Sequence, residues 1–158
     1  MFKVILVASG KGGTGKTSLT ANVGTALAER GRRVLTIDAD SGLRNLDIVL
    51  GLSDSIVFSF ADVAQGVAPL ERAAAPHPVF PGMYLLTAPG SLPPLSREQI
   101  SSLMDQAREM KFEYVLIDGP AGLAPEIRLF AQAATQGLVV TMPDQASVRG
   151  AERVARIL

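Results

Sequence analysis

Cysteine and tryptophan are absent from this chain of 158 residues, and His77 is its single histidine. Without cysteine there is no disulfide, thiolate zinc site, cysteine-ligated iron–sulfur cluster or thiol nucleophile. A single histidine excludes metal sites built on a pair of histidines. A Ser-His-Asp triad has no support either, because His77 lies far in sequence from Ser9 and Ser91.

Long hydrophobic runs and an excess of one charge are also missing. The longest unbroken apolar run, residues 4–8, has five residues, whereas a transmembrane helix needs about 20. It is too short for a signal peptide, and glycines follow where a cleavage site would stand. Fifteen basic residues balance fifteen acidic ones, which disfavours binding to nucleic acid through net charge. We expect a cytoplasmic protein whose residues 1–158 form one domain.

Short apolar runs rich in β-branched residues alternate with helical patterns. Buried parallel strands are predicted at residues 3–8, 34–37, 83–87, 114–117 and 138–141. Helices are predicted between the first two strands and over residues 96–110, 125–136 and 146–158. Apart from the strand at residues 83–87, residues 66–94 are rich in proline and glycine and predict irregular connections around short helical turns. The pattern predicts an α/β fold: a doubly wound, mostly parallel sheet with helices on both faces.

Residue patterns support each of these helices. In the first, Leu19, Val23, Ala26 and Leu27 fall on one predicted apolar face, and Gly31 suits a left-handed helix end. Ser96 and Gln99 fit a capping box. The third predicted helix ends at Gly137. In the last helix, the arginines at 149, 153 and 156 are expected to form the solvated face of a core helix.

The strongest local motif follows the first predicted strand. Residues 10–17 match G-x-x-x-x-G-K-[ST] and stand between a strand and a helix, as a P-loop requires. Backbone N–H groups of such a loop surround phosphate oxygens, and the dipole of the following helix adds to the attraction. We expect Lys16 to neutralise nucleotide phosphates and the Thr17 hydroxyl to ligate Mg²⁺. Lys11 is either a solvated loop cation or a second phosphate contact, one that could reach into a partner subunit.

Carboxylates follow two of the predicted strands. Asp38 and Asp40 come at the end of the second strand, and Asp118 ends the fourth. The carboxyl ends of parallel strands form the edge where ligands bind in open α/β sheets. Two acids two residues apart suit Mg²⁺-bound water and an attacking water, and Asp118 has the form of a Walker B carboxylate. The predicted metal-site residues are therefore Thr17, Asp38, Asp40 and Asp118.

Together these motifs resemble the MinD/ParA family of ATPases, which carry a deviant Walker A loop with an additional lysine at the position of Lys11. Residues 38–47 resemble the family's switch I and residues 118–122 its switch II, and residues 147–149 match a further stretch. The resemblance covers essentially the whole chain. The run at residues 42–47 favours the MinD branch, which places the division septum, over ParA-like and flagellar-placement ATPases.

The resemblance implies an ATPase that binds ATP and Mg²⁺, dimerises around the nucleotide and hydrolyses it to position the division site at the membrane. It assigns catalytic roles to Lys16, to Lys11 reaching across the dimer, to Asp40 positioning the attacking water and to Asn45 near the hydrolytic centre. Asp38 and Asp118 match outer-shell Mg²⁺ ligands. Nucleotide contacts are implied for the loop residues Lys11, Gly12, Gly13, Thr14, Gly15, Lys16, Thr17 and Ser18. MinC-like and MinE-like regulators are implied as partners.

Two departures from the family leave alternatives open. Family members are longer, and their C-terminal part carries the last strands, adenine-side contacts and an amphipathic membrane helix. The chain therefore reads as a fragment or a minimal form, in which that membrane helix is absent and inner-membrane association belongs to the longer family members. Gly150 stands where MinD-like members usually carry an acid on the surface that contacts partners. The alternatives are a ParA-like or flagellar-placement ATPase, or a nucleotide-binding module without turnover.

Overall fold

Six strands build the central sheet of the computed structural model, which describes residues 1–158. In chain order they are Lys3–Ser9 (β1), Val34–Asp38 (β2), Ala75–Pro76 (β3), Met83–Leu86 (β4), Tyr114–Ala121 (β5) and Gln136–Val140 (β6). Across the sheet the order is β3-β4-β2-β5-β1-β6. All neighbours are parallel except β3 and β4. The predicted mostly parallel sheet is confirmed.

Six helices lie between the strands, and a seventh follows the last strand. They are Lys16–Glu29 (α1), Leu46–Leu50 (α2), Phe60–Ala64 (α3), Leu70–Ala73 (α4), Arg97–Glu109 (α5), Pro125–Ala133 (α6) and Gln145–Ala155 (α7), with a 3₁₀ turn at Ser53–Ser55. The predicted capping box of α5 is present: the Ser96 hydroxyl accepts from the Gln99 N–H, and the Gln99 side chain accepts from the Ser96 N–H. None of these helices combines the length and the apolar composition that a membrane span requires.

Two apolar cores lie on opposite faces of the sheet. The larger contains buried residues of α3, α5 and α6, whereas the smaller contains residues of α1 and α2. Side chains of β4 alternate between the two cores, since Leu86 belongs to the larger and Met83 and Leu85 to the smaller. Helices thus cover both faces, as predicted for a doubly wound fold.

The buried face of α1 differs from the predicted one. Leu19, Val23, Ala26 and Leu27 are half-buried or exposed, and the helix instead buries small residues such as Ala21, Gly24 and Ala28. A Cβ at Gly24 would lie 2.8 Å from the Met83 Cε atom. The buried face of α1 consists of small residues because the helix packs very close to the sheet. Gly31 has a φ of 75°, which confirms the predicted left-handed helix end.

The boundary between α6 and β6 was predicted three residues too late. Helix α6 ends at Ala133, because the Thr135 N–H and hydroxyl both donate to the Val4 carbonyl oxygen of β1, at 2.8 and 2.9 Å. Gly137 consequently lies inside β6, where Leu158 packs against its Cα. The strand is also largely exposed, contrary to the prediction, because it is an edge strand that pairs only with β1.

Candidate nucleotide site

The loop between β1 and α1 has a backbone that only glycine adopts readily. Gly13 and Gly15 have φ values of 74° and 93°, in the left-handed region. Space is not the constraint there, because a Cβ at either position would have no other atom within 4 Å. Lys16 begins α1 and is only 7% exposed. Lys16 therefore lies in the first turn of α1, directly after the glycine-rich loop.

The backbone hydrogen-bond donors of this loop have no partners inside the chain. None of the backbone N–H groups from residue 11 to residue 18 donates a hydrogen bond to another part of the protein. The Thr14 hydroxyl is buried and also without a partner. Unpaired donors at a helix N-terminus form an anion cradle. This observation fits the phosphate groups of a nucleotide to the residues predicted to hold them.

Asp38 and Asp118 meet at the carboxyl end of the sheet. They are direct partners in the parallel register of β2 and β5, and their exposed fractions are only 1% and 2%. The Thr17 hydroxyl donates to Asp118 Oδ2 at 2.6 Å. The structure therefore brings together three of the four residues predicted for the metal site, on β2, β5 and α1.

The segment after β2 is tied to the same corner by its aspartates. Asp38 Oδ1 accepts from the Asp40 N–H at 3.0 Å, and its Oδ2 accepts from the Leu46 N–H at 3.2 Å. Asp40 Oδ1 accepts from the N–H groups of Gly42 and Leu43, at 3.1 and 3.3 Å. Its Oδ2 has no partner within the chain. Asp38 thereby holds both ends of the predicted switch I segment.

Burial makes the charge of these carboxylates costly. Desolvation raises the pKa of Asp38 from 3.8 to about 6, despite the two backbone N–H groups that oppose the shift. It also raises the pKa of Asp118, while the hydrogen bond from Thr17 and the charge of Lys16 act in the opposite direction. Two buried carboxylates beside one hydroxyl are a suitable oxygen donor set for Mg²⁺.

A cleft of about 190 Å³ joins the loop to these acids. It is lined by Gly12, Gly13, Thr14, Gly15, Lys16, Thr17, Ser18, Asp38, Asp40, Leu43, Asn45, Asp118 and Ala121. Asn45 lies at the N-terminus of α2 without capping it, and its side chain is exposed at the cleft. All residues predicted for the nucleotide and metal sites therefore converge here, apart from Lys11.

Lys11 lies outside this cleft. Its Nζ is 3.5 Å from Asp144 Oδ2, and both side chains are about half exposed. Asp144 also caps α7, since it accepts from the N–H and hydroxyl of Ser147. Lys11 is thus half exposed and paired with the residue that caps α7.

Three contacts at the site were not predicted from the sequence. Thr20 is buried, and its hydroxyl donates to the Lys16 carbonyl oxygen at 2.9 Å and lies 3.5 Å from Asp118 Oδ1. A mid-helix threonine carries no sequence signal for this role. Asp144 could have been noticed as a helix cap, but not as the partner of Lys11. Gly150 packs against Gly10 at the start of the loop, a contact between residues distant in sequence that the sequence did not indicate.

Comparisons with known proteins agree with this architecture. Residues 5–157 match the family model described as the CobQ/CobB/MinD/ParA nucleotide binding domain. The chain is 42% identical to the septum site-determining protein MinD of Synechocystis, with 100% of this chain and 60% of that protein aligned. For MinD of Escherichia coli the identity is 36%, with 100% and 59% aligned. The chain thus spans about 60% of the length of these relatives.

Solved structures of MinD proteins are also similar to this chain. The MinC:MinD complex of Aquifex aeolicus matches with a TM-score of 0.90 and 39% identity, covering 99% of this chain and 63% of that one. MinD of Pyrococcus horikoshii, solved with Mg-ADP, matches with a TM-score of 0.80 and 32% identity, covering 99% and 65%.

Proposed function

Because the chain belongs to the CobQ/CobB/MinD/ParA nucleotide binding domain family, we propose that it binds ATP with Mg²⁺, dimerises when ATP is bound and hydrolyses ATP in placing the division septum. The observation that carries the proposal is the junction of Thr17, Asp38 and Asp118 beside a loop whose N–H groups are unpaired. The similarity to MinD relatives and to the Pyrococcus protein solved with Mg-ADP supports the same proposed function.

The residues present fit a nucleotide and its metal. Backbone N–H groups of residues 11–18 and the orphaned Thr14 hydroxyl would hold phosphate oxygens. Lys16 would balance their charge from beneath the loop. The Thr17 hydroxyl would ligate Mg²⁺, with Asp38 and Asp118 beside it. When bound, Mg²⁺ neutralises charge on the phosphates and so makes the terminal one easier to transfer.

We assign to Asp40 the role of positioning the water molecule that attacks the terminal phosphate. One of its carboxylate oxygens is held by two backbone N–H groups, which fixes the side chain, and the other is free to accept from a water molecule. An acid held in this way can orient the attacking water toward the cleft and accept its proton. Asn45 lines the same cleft and would assist in positioning.

Dimerisation and partners form a separate part of the proposal. Lys11 is exposed and held only by a solvent-accessible ion pair, so little energy is needed to redirect it toward the phosphates of a second subunit. The match to MinD in the Aquifex MinC:MinD complex supports a MinC-like regulator. A MinE-like activator is also part of the proposal. Association with the inner membrane is proposed only for a full-length form of the family that carries a C-terminal amphipathic helix, and not for residues 1–158.

Two substitutions test nucleotide binding and turnover separately. Lys16→Ala should abolish detectable ATP-Mg²⁺ binding by calorimetry, because the phosphates lose their buried cation. Asp40→Ala should bind ATP within a few-fold of the wild type but hydrolyse it at least about tenfold more slowly, since a water-orienting acid acts mainly in the transition state. Lys3→Ala and Asp54→Ala, which lie outside the cleft, are the matched controls.

Single-turnover hydrolysis at several protein concentrations distinguishes an enzyme from a module. A rate per bound ATP that rises with protein concentration supports turnover within a dimer. ATP binding without turnover at any concentration would instead support a nucleotide-binding module. Equal affinities of wild type and Lys16→Ala would contradict the assignment of the loop. An Asp40→Ala variant that lost binding but kept its rate per bound ATP would contradict the role of Asp40.

A further inference from the structure

A second cleft lies at the same edge of the sheet, next to the nucleotide cleft. Its volume is about 390 Å³, within the usual range for small-ligand pockets. One wall is the loop that follows β4, and the other is the segment leading into α3. The two walls are joined by a hydrogen bond of 2.9 Å from the Phe60 N–H to the Thr87 carbonyl oxygen. Arg44, from the segment after β2, closes one side.

Thr87 carries a buried hydroxyl without a partner. The residue is 2% exposed, and its Oγ1 makes no hydrogen bond. Apart from the Thr14 hydroxyl in the proposed phosphate loop, which is also unpaired, the hydroxyls of the other buried serines and threonines are paired within the chain: Ser9, Thr20, Thr36, Ser59 and Ser147. An unsatisfied buried hydroxyl is costly, and valine would fill the same volume without that cost. The unpaired hydroxyl of Thr87 therefore points to a ligand outside the phosphate loop.

Arg44 is the second unsatisfied group in this cleft. Its Nε is buried without a hydrogen-bond partner, and none of the chain's ion pairs includes it. Its φ of 47° lies in the left-handed region, which is unfavourable for arginine. Strain of this kind persists where the surroundings enforce it, and it concentrates at ligand sites. A hydrogen bond of 3.0 Å from the Arg44 N–H to the Asp40 carbonyl oxygen holds this backbone in place.

We propose that this cleft binds a small ligand through a carboxylate group. The planar guanidinium of Arg44 matches a carboxylate with two parallel donors, and the Thr87 hydroxyl supplies a further one. The N–H groups of Gly90 and Ser91, in the same wall, donate no hydrogen bond within the chain. Asp62 also lines the cleft, and its negative charge disfavours a doubly charged phosphate. The site therefore prefers a singly charged carboxylate.

This proposal stands apart from the proposed nucleotide chemistry. Binding at Arg44 and Thr87 requires neither ATP nor a dimer. The two clefts are nevertheless adjacent, because Arg44 directly precedes Asn45, which lines the nucleotide cleft.

Nuclear magnetic resonance of the ¹⁵N-labelled, nucleotide-free protein tests the proposal with sodium acetate as the probe. Sodium chloride at equal ionic strength and sodium phosphate are the reference titrations. Acetate should shift the Arg44 Nε–H resonance and the amides of Gly90 and Ser91 saturably. Shifts that do not saturate, or that chloride reproduces, would overturn the proposal. Tighter binding of phosphate than of acetate would overturn the assignment to carboxylates.

Substitutions test whether the side chains of Arg44 and Thr87 bind the acetate. Arg44→Gln should weaken acetate binding at least about tenfold and Thr87→Val a few-fold, as read from the amides of the Gly90 loop. Arg72→Gln is the matched control, because Arg72 stacks on Phe58 just outside the cleft and should leave the affinity unchanged. Equal weakening in Arg72→Gln and Arg44→Gln would show a general charge effect and refute the site.

Thermal unfolding provides an independent measurement on the same variants. Because the Thr87 hydroxyl has no partner in the chain, Thr87→Val should unfold at the same temperature as the wild type or a higher one. A melting temperature several degrees lower would mean that the hydroxyl has a structural partner, and the argument for a ligand would fail.

Discussion

Replacing Asp38 by asparagine should make the nucleotide-free protein more stable at neutral pH, although Asp38 belongs to the proposed metal site. The carboxylate is 1% exposed and faces a second buried acid, Asp118, across the β2–β5 pair. The charge of Lys16 acts on Asp118, but no cation of the chain offsets the buried charge of Asp38, which therefore opposes folding. A side chain of the same shape without the charge removes that opposition.

The size of the effect follows from the pKa of Asp38. A pKa raised from 3.8 to about 6 corresponds to about 3 kcal/mol of unfavourable free energy for the charged form in the folded protein. Asparagine has one acceptor oxygen where Asp38 uses two, for the N–H groups of Asp40 and Leu46. Losing one of these bonds costs about 1 kcal/mol or somewhat more. We therefore expect Asp38→Asn to raise the free energy of unfolding by about 1–2 kcal/mol at pH 7.5.

The pH dependence identifies the cause. Because its pKa is raised by folding, Asp38 contributes stability that is fully present below about pH 4 and is lost as the pH rises through about 6. The advantage of the variant should therefore shrink by about 1.5 kcal/mol between pH 7.5 and pH 5. Urea unfolding of both proteins at these pH values, with EDTA and without nucleotide, measures the difference.

A matched control separates the effect of the Asp38 charge from the effect of changing any buried aspartate to asparagine. Asp47 is also buried, and it lies in α2, which follows the same segment. Asp47→Asn, measured in parallel, reports how far a carboxylate-to-amide change at a neighbouring buried position alters the free energy of unfolding. A variant Asp38→Asn that is less stable than the wild type at pH 7.5, or whose advantage is the same at pH 5, would refute the reasoning from burial.

Three further predictions concern the loop and its contacts. Lys11→Ala should keep nucleotide affinity within a few-fold but lose association driven by a hydrolysis-resistant ATP analogue, measured by sedimentation; equal dimerisation would contradict the role across the dimer. Asp144→Asn should preserve the cap of α7 and favour that association by no more than about fivefold, because the ion pair to Lys11 is exposed. Gly10→Ala should lower the free energy of unfolding by about 1–3 kcal/mol, since its Cβ would meet the main chain of Gly150. Gly90→Ala, with no atom near its Cβ, is the control for chemical denaturation.

Most of the candidate nucleotide site was predictable because its residues are adjacent in sequence or are brought together by a general rule. The loop at residues 10–17 is a local motif, and glycines and a lysine in that order suffice to suggest a phosphate cradle. Asp38 and Asp118 are distant in sequence, but parallel strands align their carboxyl ends at one edge of the sheet. Their meeting in the β2–β5 register follows from that rule.

The two unsatisfied groups of the second cleft were not predictable. Arg44 occurs within a run whose order of residues resembles a known switch, and nothing in that order shows that its guanidinium has no partner. Thr87 reads simply as the end of a strand. Whether a buried donor is satisfied depends on every atom around it, so it becomes visible only in three dimensions.

The amino-acid sequence by itself determined the five parallel strands, the helices α1, α5, α6 and α7, the phosphate loop and the two strand acids Asp38 and Asp118. These depend on local periodicity and on short motifs, which act over a few residues. The sequence did not locate the short elements α2, α3 and β3. Only the tertiary structure decided that α1 turns its small residues to the sheet, that Thr135 ends α6 by bonding to β1, and that Gly150 packs on the loop. Each of these depends on how closely elements distant in sequence approach one another, and that distance is set by the packing of the whole core.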